Sequence, residues 1–195
     1  MFEIVKYSAE QKNNWNQFVL NSKNGTFLFD RNYMDYHSDR FCDYSLMIYR
    51  KGKLNALLPG NEKDNVFYSH QGLTYGGMIM NDKVTSLEMI DVFSLVNAYL
   101  KQNGFQKVVY KAIPWIYHQR PAQEDLYAMF RNIESLRIIG RNISSTIIQN
   151  NKIKFIESRK SGIRKALANN LSVRKSDDMA TFWEILDTNL KNKYG

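Results

Sequence analysis

Residues 87–114 read LEMIDVFSLVNAYLKQNGFQKVVYKAIP, and this stretch sets the class of the fold. From Leu87 to Asn103 the apolar residues recur at helical spacing, the period of an amphipathic helix with one buried face. Gly104 follows, at the place where a helix ends on a left-handed residue. Gln106 to Ile113 is then an apolar run of strand length, stopped by Pro114. A structure with helix at Gln106–Ile113 would contradict this reading.

Working outward, residues 2–7 read as a strand and Ala9 to Leu20 as a helix with Trp15, Phe18 and Val19 facing inward. An Asn24-Gly25 turn leads to Thr26-Phe27-Leu28-Phe29 and a short aromatic helix around Tyr33 to His37. Tyr44–Tyr49 and Leu54–Leu58 are strands joined by Arg50-Lys51-Gly52-Lys53, a hairpin signal. Val66–Ser69 is a further strand, and Gly72-Leu73-Thr74-Tyr75-Gly76-Gly77 is a loop with three glycines, suited to a tight turn or a close approach to a ligand. Those three strands and Gln106–Ile113 are expected to build one central sheet.

Beyond Pro114, Gln123–Asn132 reads as a helix with an acidic first turn, Leu136–Ile148 as one or two strands, and Leu171–Arg174 as a strand. Ser158 or Ser161 is expected to cap a basic helix running to about Asn170, with Ile163, Ala166 and Leu167 buried. A last helix from about Asp177 carries Met179, Phe182, Trp183, Leu186 and Leu190 on one face, which is expected to pack on this domain or on a partner. The class is therefore α+β or mixed α/β: a mostly antiparallel central sheet flanked by helices, with a C-terminal helical extension. The expected division is a domain over residues 1–152 and a segment over 153–195.

Composition narrows the function. The chain has 195 residues, enough to bury roughly 70% of its unfolded surface. Hydrophobic residues at 44% and charged residues at 24% exclude a disordered chain. Cys42 is the one cysteine, so an internal disulfide is excluded and a reducing, cytoplasmic setting is expected. Residues 1–6 lack the pattern of a signal peptide, and no apolar run approaches a membrane span. His37, His70 and His118 lie far apart without paired ligand spacing, so no metal site is expected. No local histidine supports Cys42 as a nucleophile.

The formal net charge is +8, and the stretch Lys152–Lys175 holds eight cations against Glu157, or +7 of it. Such a cluster attracts a phosphate, a nucleic-acid backbone or an acidic ligand, or is a solvated basic face. Arg159 and Lys160 would start the basic helix, against its macrodipole, and with Arg164 and Lys165 are the candidate anion-binding residues. Acyltransferases of the GNAT superfamily hold coenzyme pyrophosphate on a Gln/Arg-x-x-Gly-x-Gly/Ala turn. Arg159-Lys160-Ser161-Gly162-Ile163-Arg164 departs from it with arginine at the last position, and Arg137-Ile138-Ile139-Gly140-Arg141-Asn142 departs likewise. Neither is expected to serve as a coenzyme loop.

Thr26-Phe27-Leu28-Phe29, the Gly72–Gly77 loop, Pro114-Trp115-Ile116-Tyr117-His118 and Ile163-Arg164-Lys165-Ala166, in that order, resemble FemAB-like members of the GNAT superfamily, in particular those of Bacteroidetes. The resemblance implies acyl or aminoacyl transfer to an amine, with acyl-CoA or aminoacyl-tRNA as donor. Fem proteins carry two such halves, and this chain resembles the first, which implies an acidic or phosphorylated acceptor such as a cell-wall precursor. It also implies catalysis that needs a second domain or a homodimer partner. By position, Arg31, Arg40, Tyr75, Gly76, Gly77, Tyr117 and Arg120 are the candidate substrate-binding residues, while His70 and His118 are candidate bases. The alternatives are a non-catalytic tRNA- or nucleic-acid-binding module and a structural half acting only with another chain.

Overall fold

The structure, a computed structural model, describes residues 1–194; Gly195 and the side chain of His37 lie outside the described residues. The chain divides into two units, Met1–Ile139 and Gly140–Gly195.

In the first unit, β1 (Phe2–Lys6) leads through a 3-10 turn into α1 (Lys12–Asn21). A second 3-10 turn, Phe27–Phe29, precedes the short α2 (Arg31–Met34). Then come β2 (Cys42–Asp43), β3 (Leu46–Arg50), β4 (Lys53–Leu58), β5 (Asn61–Lys63), β6 (Val66–Tyr68) and β7 (Ile79–Met80). Helix α3 (Ser86–Gln102), β8 (Lys107–Val109) and α4 (Glu124–Asn132) complete it. The second unit holds α5 (Glu157–Ala168) and α6 (Met179–Tyr194).

The strands form two four-stranded sheets rather than the single sheet expected: β1-β3-β4-β7, antiparallel throughout, and β2-β5-β6-β8, with β6 and β8 parallel. The reason is a corner. Residues 42–50 and 53–63 are one long hairpin, and at its bend Tyr44 N–H donates to the Gly60 carbonyl (2.9 Å). There the Ser45 hydroxyl stands in for the backbone ladder, accepting from Gly60 N–H (3.1 Å) and donating to Gly60 O (3.3 Å). The Gln106–Ile113 strand survives only as Lys107–Val109, and no part of it is helix.

Both faces of the sheet are covered, which is why its strands are apolar without strict alternation. Leu46, Ile48, Ala56, Leu58 and Met80 pack against Met89, Val92, Phe93, Val96 and Leu100 of α3 and Ala128 and Met129 of α4. Met47, Leu57 and Ile79, pointing the other way, pack with Trp15 and Val19 of α1 and with Phe29. Trp15 is fully buried and donates its indole N–H to the Phe29 carbonyl (2.8 Å).

Helix α3 begins on a capping box: Thr85 accepts from Glu88 N–H, and the Glu88 carboxylate accepts from Thr85 N–H (3.0 Å). It ends at Gly104, whose φ of +86° matches the expected left-handed stop.

Beyond α4, several expectations are corrected. Leu136–Ile148 and Leu171–Arg174 form no strand. Helix α5 is capped by Ile156 with no side-chain hydrogen bond, so neither Ser158 nor Ser161 caps it. Ile163 and Leu167 are exposed rather than buried; Met179, Phe182, Trp183 and Leu190, the α6 face expected to pack on this domain or on a partner, are exposed in the single chain. No helix among the described residues is long and apolar enough to cross a membrane.

Thr85→Ala removes one half of the capping box. We expect it to lower stability by about 1 kcal/mol in urea unfolding.

Candidate functional site

The parallel pair β6 and β8 comes apart where the chain needs room. Ser69 N–H donates to Val109 O (2.9 Å), extending the ladder, but Lys111 N–H donates to the Ser69 hydroxyl (2.7 Å) instead of to a backbone carbonyl. The chain leaves at His70, buried with φ +67°, and loops back so that Gly76 N–H donates to Lys111 O (3.0 Å). A Cβ on Gly76 would fall on the Ser69 carbonyl, and one on Gly77, at φ +94°, would meet the Tyr110 hydroxyl at 2.9 Å. The glycines at 76 and 77 therefore serve a close backbone approach.

Tyr110 sits at the centre. Its hydroxyl donates to the Asp125 carboxylate (2.5 Å) and accepts from Met78 N–H (2.6 Å), so one buried phenol joins the end of β8, the first turn of α4 and the glycine loop. Burial pushes the Tyr110 pKa well above its ordinary value, with the Asp125 charge adding to the rise. Burial also pushes Asp125 up to about 6, against the opposing hydrogen bonds from Tyr110 and from Leu126 N–H.

Lys111 ties down the outer part of the loop. Its ammonium donates to the carbonyls of Leu73 and, at 3.4 Å, Gln71, and burial lowers its pKa. On the loop, Tyr75 is buried. Its hydroxyl donates to Thr26 Oγ1 (3.2 Å), its ring meets Phe29 edge-on at 5.9 Å, and it stacks on Tyr117 at 5.2 Å with 25° between the planes.

Tyr117 is half exposed beside an open depression of about 520 Å³ lined by Trp115, Ile116, His118, Gln119, Arg120, Pro121 and Gln123. The Lys23 carbonyl fixes this segment by accepting from Gln119 N–H (2.9 Å) and Arg120 N–H (3.2 Å), while the Lys23 ammonium is buried against Glu124 and Val84 O. Burial lowers the His118 pKa, so the ring is neutral near pH 7. With Nε2 donating to Ile113 O (3.3 Å), Nδ1 carries the lone pair, enclosed and without a partner. His70 is also buried, with its Nδ1 enclosed.

The structure thus gathers Tyr75, Gly76, Gly77 and Tyr117, and places Arg120 at the depression, paired with Asp82 at 3.2 Å. Arg31 and Arg40 lie elsewhere. Arg31 is 1% exposed, its guanidinium over the Tyr7 ring (3.5 Å) and the Trp15 ring (4.1 Å), with Asp43 and Asp35 at one end. Arg40 is a surface cation 3.8 Å from Asp39.

On α5, Lys160 and Arg164 both reach Glu157, at 2.8 and 3.3 Å, while Arg159 and Lys165 are exposed. Residues 159–164 lie inside that helix, so their amides are committed to helical hydrogen bonds and cannot cradle a pyrophosphate. Gly162 has open space where a Cβ would go, and so does Gly140. The 159–164 segment is helix, not a loop. No group of three His, Cys, Asp or Glu that could hold a metal occurs among the described residues.

Tyr110, Lys111, Asp125, Lys23 and Glu124 carry the site and escape sequence reasoning. Asp125 shows only as part of an acidic helix start, and Lys111 as an interruption of an apolar strand; nothing local marks their partners.

No family model matches the chain, and no curated protein does. Among solved structures the chain is similar to an aminoglycoside 6'-N-acetyltransferase from Acinetobacter haemolyticus, with 13% identity over 75% of this chain and 99% of that one, at a TM-score of 0.44. It is also similar to a GNAT family acetyltransferase from Staphylococcus aureus, with 6% identity over 75% of this chain and 98% of that one, at a TM-score of 0.42. A third is an aminoglycoside acetyltransferase from an uncultured soil metagenome, solved with sisomicin: 11% identity over 75% of this chain and 97% of that one, at a TM-score of 0.45.

Two measurements check the site's physics. Asp125 has a raised folded-state pKa, so its charge costs stability above about pH 6 and that cost fades as the carboxyl protonates in the folded state. Its contribution should make the protein more stable at about pH 5 than at about pH 7, and Asp125→Asn should remove that gain in paired urea titrations. Gly76→Ala should cost at least about 3 kcal/mol, because the added carbon meets backbone that cannot step aside.

Proposed function

We propose that the first unit is an acyltransferase-family domain of the GNAT kind, FemAB-like, which holds the amine-bearing acceptor at the Trp115–Gln123 depression. One observation carries this reading. Three of the four motifs behind the resemblance, Thr26–Phe29, Gly72–Gly77 and Pro114–His118, meet at Tyr75 through its bond to Thr26, its contact with Phe29 and its stack on Tyr117. Segments starting at residues 26, 72 and 114 share no reason to converge on one aromatic pair, buried at Tyr75 and half exposed at Tyr117, unless that pair has work at the surface.

In the reaction, the acceptor's amine nitrogen attacks the carbonyl carbon of a thioester or ester. A base takes the nitrogen's proton, donors hold the developing oxyanion, and the thiol or hydroxyl leaves. This chain's residues fit the acceptor side: apolar Trp115, Ile116 and Pro121 supply contact area, and Arg120 supplies charge for an acidic or phosphorylated acceptor. Residues 159–164 are helical and offer the donor, acyl-CoA or aminoacyl-tRNA, no pyrophosphate loop, and the Nδ1 atoms of His70 and His118 are enclosed. On this reading the donor site and the base come from a second domain or a second copy, in a cytoplasmic setting consistent with the single Cys42. The tRNA-binding alternative rests on α5, where Glu157 already engages two of the four cations.

The purified chain should turn over little with either acetyl-CoA or charged tRNA against amine acceptors, and robust turnover with either would overturn the division of labour. An acidic peptide carrying one free lysine amine should bind and perturb tryptophan fluorescence. Tyr117→Ala should weaken that binding about fivefold without loss of fold, as expected for one stacking partner. Equal binding by Tyr117→Ala would remove the acceptor from this surface.

A further inference from the structure

A second concavity, of about 360 Å³, lies between the tip of the β3–β4 hairpin and the chain entering α3. Arg50, Lys51, Lys53 and Lys83 line it, and Glu88 is the one acid on its wall. That acid is spent: one oxygen accepts from Arg50 and the other from Thr85 N–H (3.0 Å). Lys51, Lys53 and Lys83 have no acidic partner among the described residues, so the wall carries a net charge of +3 from four cations and one carboxylate.

Exposed lysines alone would be a solvated face. What distinguishes this place is Asn55, which also lines it and is only 7% exposed. The β3–β4 register passes from Ile48↔Ala56 to Tyr49↔Leu54, so Asn55 is the extra residue of a β-bulge, a device that re-aims a side chain. Its side-chain amide makes no hydrogen bond among the described residues, and its Oδ1 is enclosed. A side chain this buried whose Nδ2 donors meet no protein acceptor is rare, and those donors are free for a ligand in the concavity. The hairpin tip agrees. Lys51 and Gly52 both have positive φ (+49° and +73°), a turn that favours asparagine or glycine at its first position, yet a lysine holds it.

We propose that this concavity is a binding site for a small phosphate-bearing molecule, a phosphate ester or diphosphate. Three unpaired ammonium groups around one volume match a compact multiply charged anion better than a single carboxylate. The Asn55 amide N–H donates to a phosphate oxygen. The site shares no lining residue with the acceptor depression, and it stands or falls independently of the transferase reading.

Inorganic pyrophosphate is the probe, titrated calorimetrically into the full chain at low salt. The parent should bind it. Lys51→Gly combined with Lys83→Gln should weaken binding about tenfold or more, and glycine suits the turn, so the fold is kept. Asn55→Asp, close in shape but anionic, should weaken it at least as much; if that variant fails to fold, the lysine pair decides. No binding by the parent, unchanged affinity in the lysine pair, or a loss produced instead by Arg159→Ala with Lys160→Ala would overturn the site. Tighter binding of a single-stranded oligonucleotide, lost on the same hairpin substitutions, would overturn the small-ligand assignment and make the face a nucleic-acid one.

Discussion

The Tyr110 hydroxyl is the interaction on which the rest of the first unit's site depends. A phenol closed off from water needs both its hydrogen-bonding roles filled, and here Asp125 takes the proton while Met78 N–H supplies the other bond. The three groups belong to elements with no local link: the end of β8, the loop returning to β7 and the first turn of α4. Gly77 has to be glycine-like because it passes directly under that hydroxyl. Once those elements are pinned, the segment from Lys111 to Gln123 has fixed ends, and Tyr117 is held against Tyr75. The cost is a carboxyl buried so far that its pKa rises to about 6.

Much of the scaffold was legible in the sequence, because local period and local punctuation set it. The helix ending at Gly104, the β3–β4 hairpin and the inward faces of Trp15 and Val19 are of this kind. The single-sheet expectation failed at Ser45 and Gly60, where a side chain replaces a backbone link, and periodicity carries no record of such a corner. The strand expectation at Leu136–Ile148 failed for another reason. An apolar, β-branched run becomes a strand only when another strand pairs with it.

Of the site, the aromatic pair was legible and the polar framework was not. Tyr75 and Tyr117 stand in short, distinctive motifs. Tyr110 and Asp125 are ordinary residues in ordinary elements, and their value comes from meeting 15 residues apart in a dry place. Arg31 misled in the opposite sense. By position it is a candidate for the acceptor's groove, whereas the Tyr7 and Trp15 rings draw its guanidinium inside. Charge counting found the dense cationic run at residues 152–175 but passed over the sparser one at the hairpin tip, which also holds the buried Asn55.

Residue-resolved hydrogen exchange under native conditions tests the central claim most directly, by comparing the parent with Tyr110→Phe. If the hydroxyl pins the loop, the Met78 amide loses protection strongly in the variant while the β3 and β4 amides, such as Ile48 and Ala56, exchange as before. Unchanged protection at Met78, or an equal loss throughout the sheet, would contradict the account.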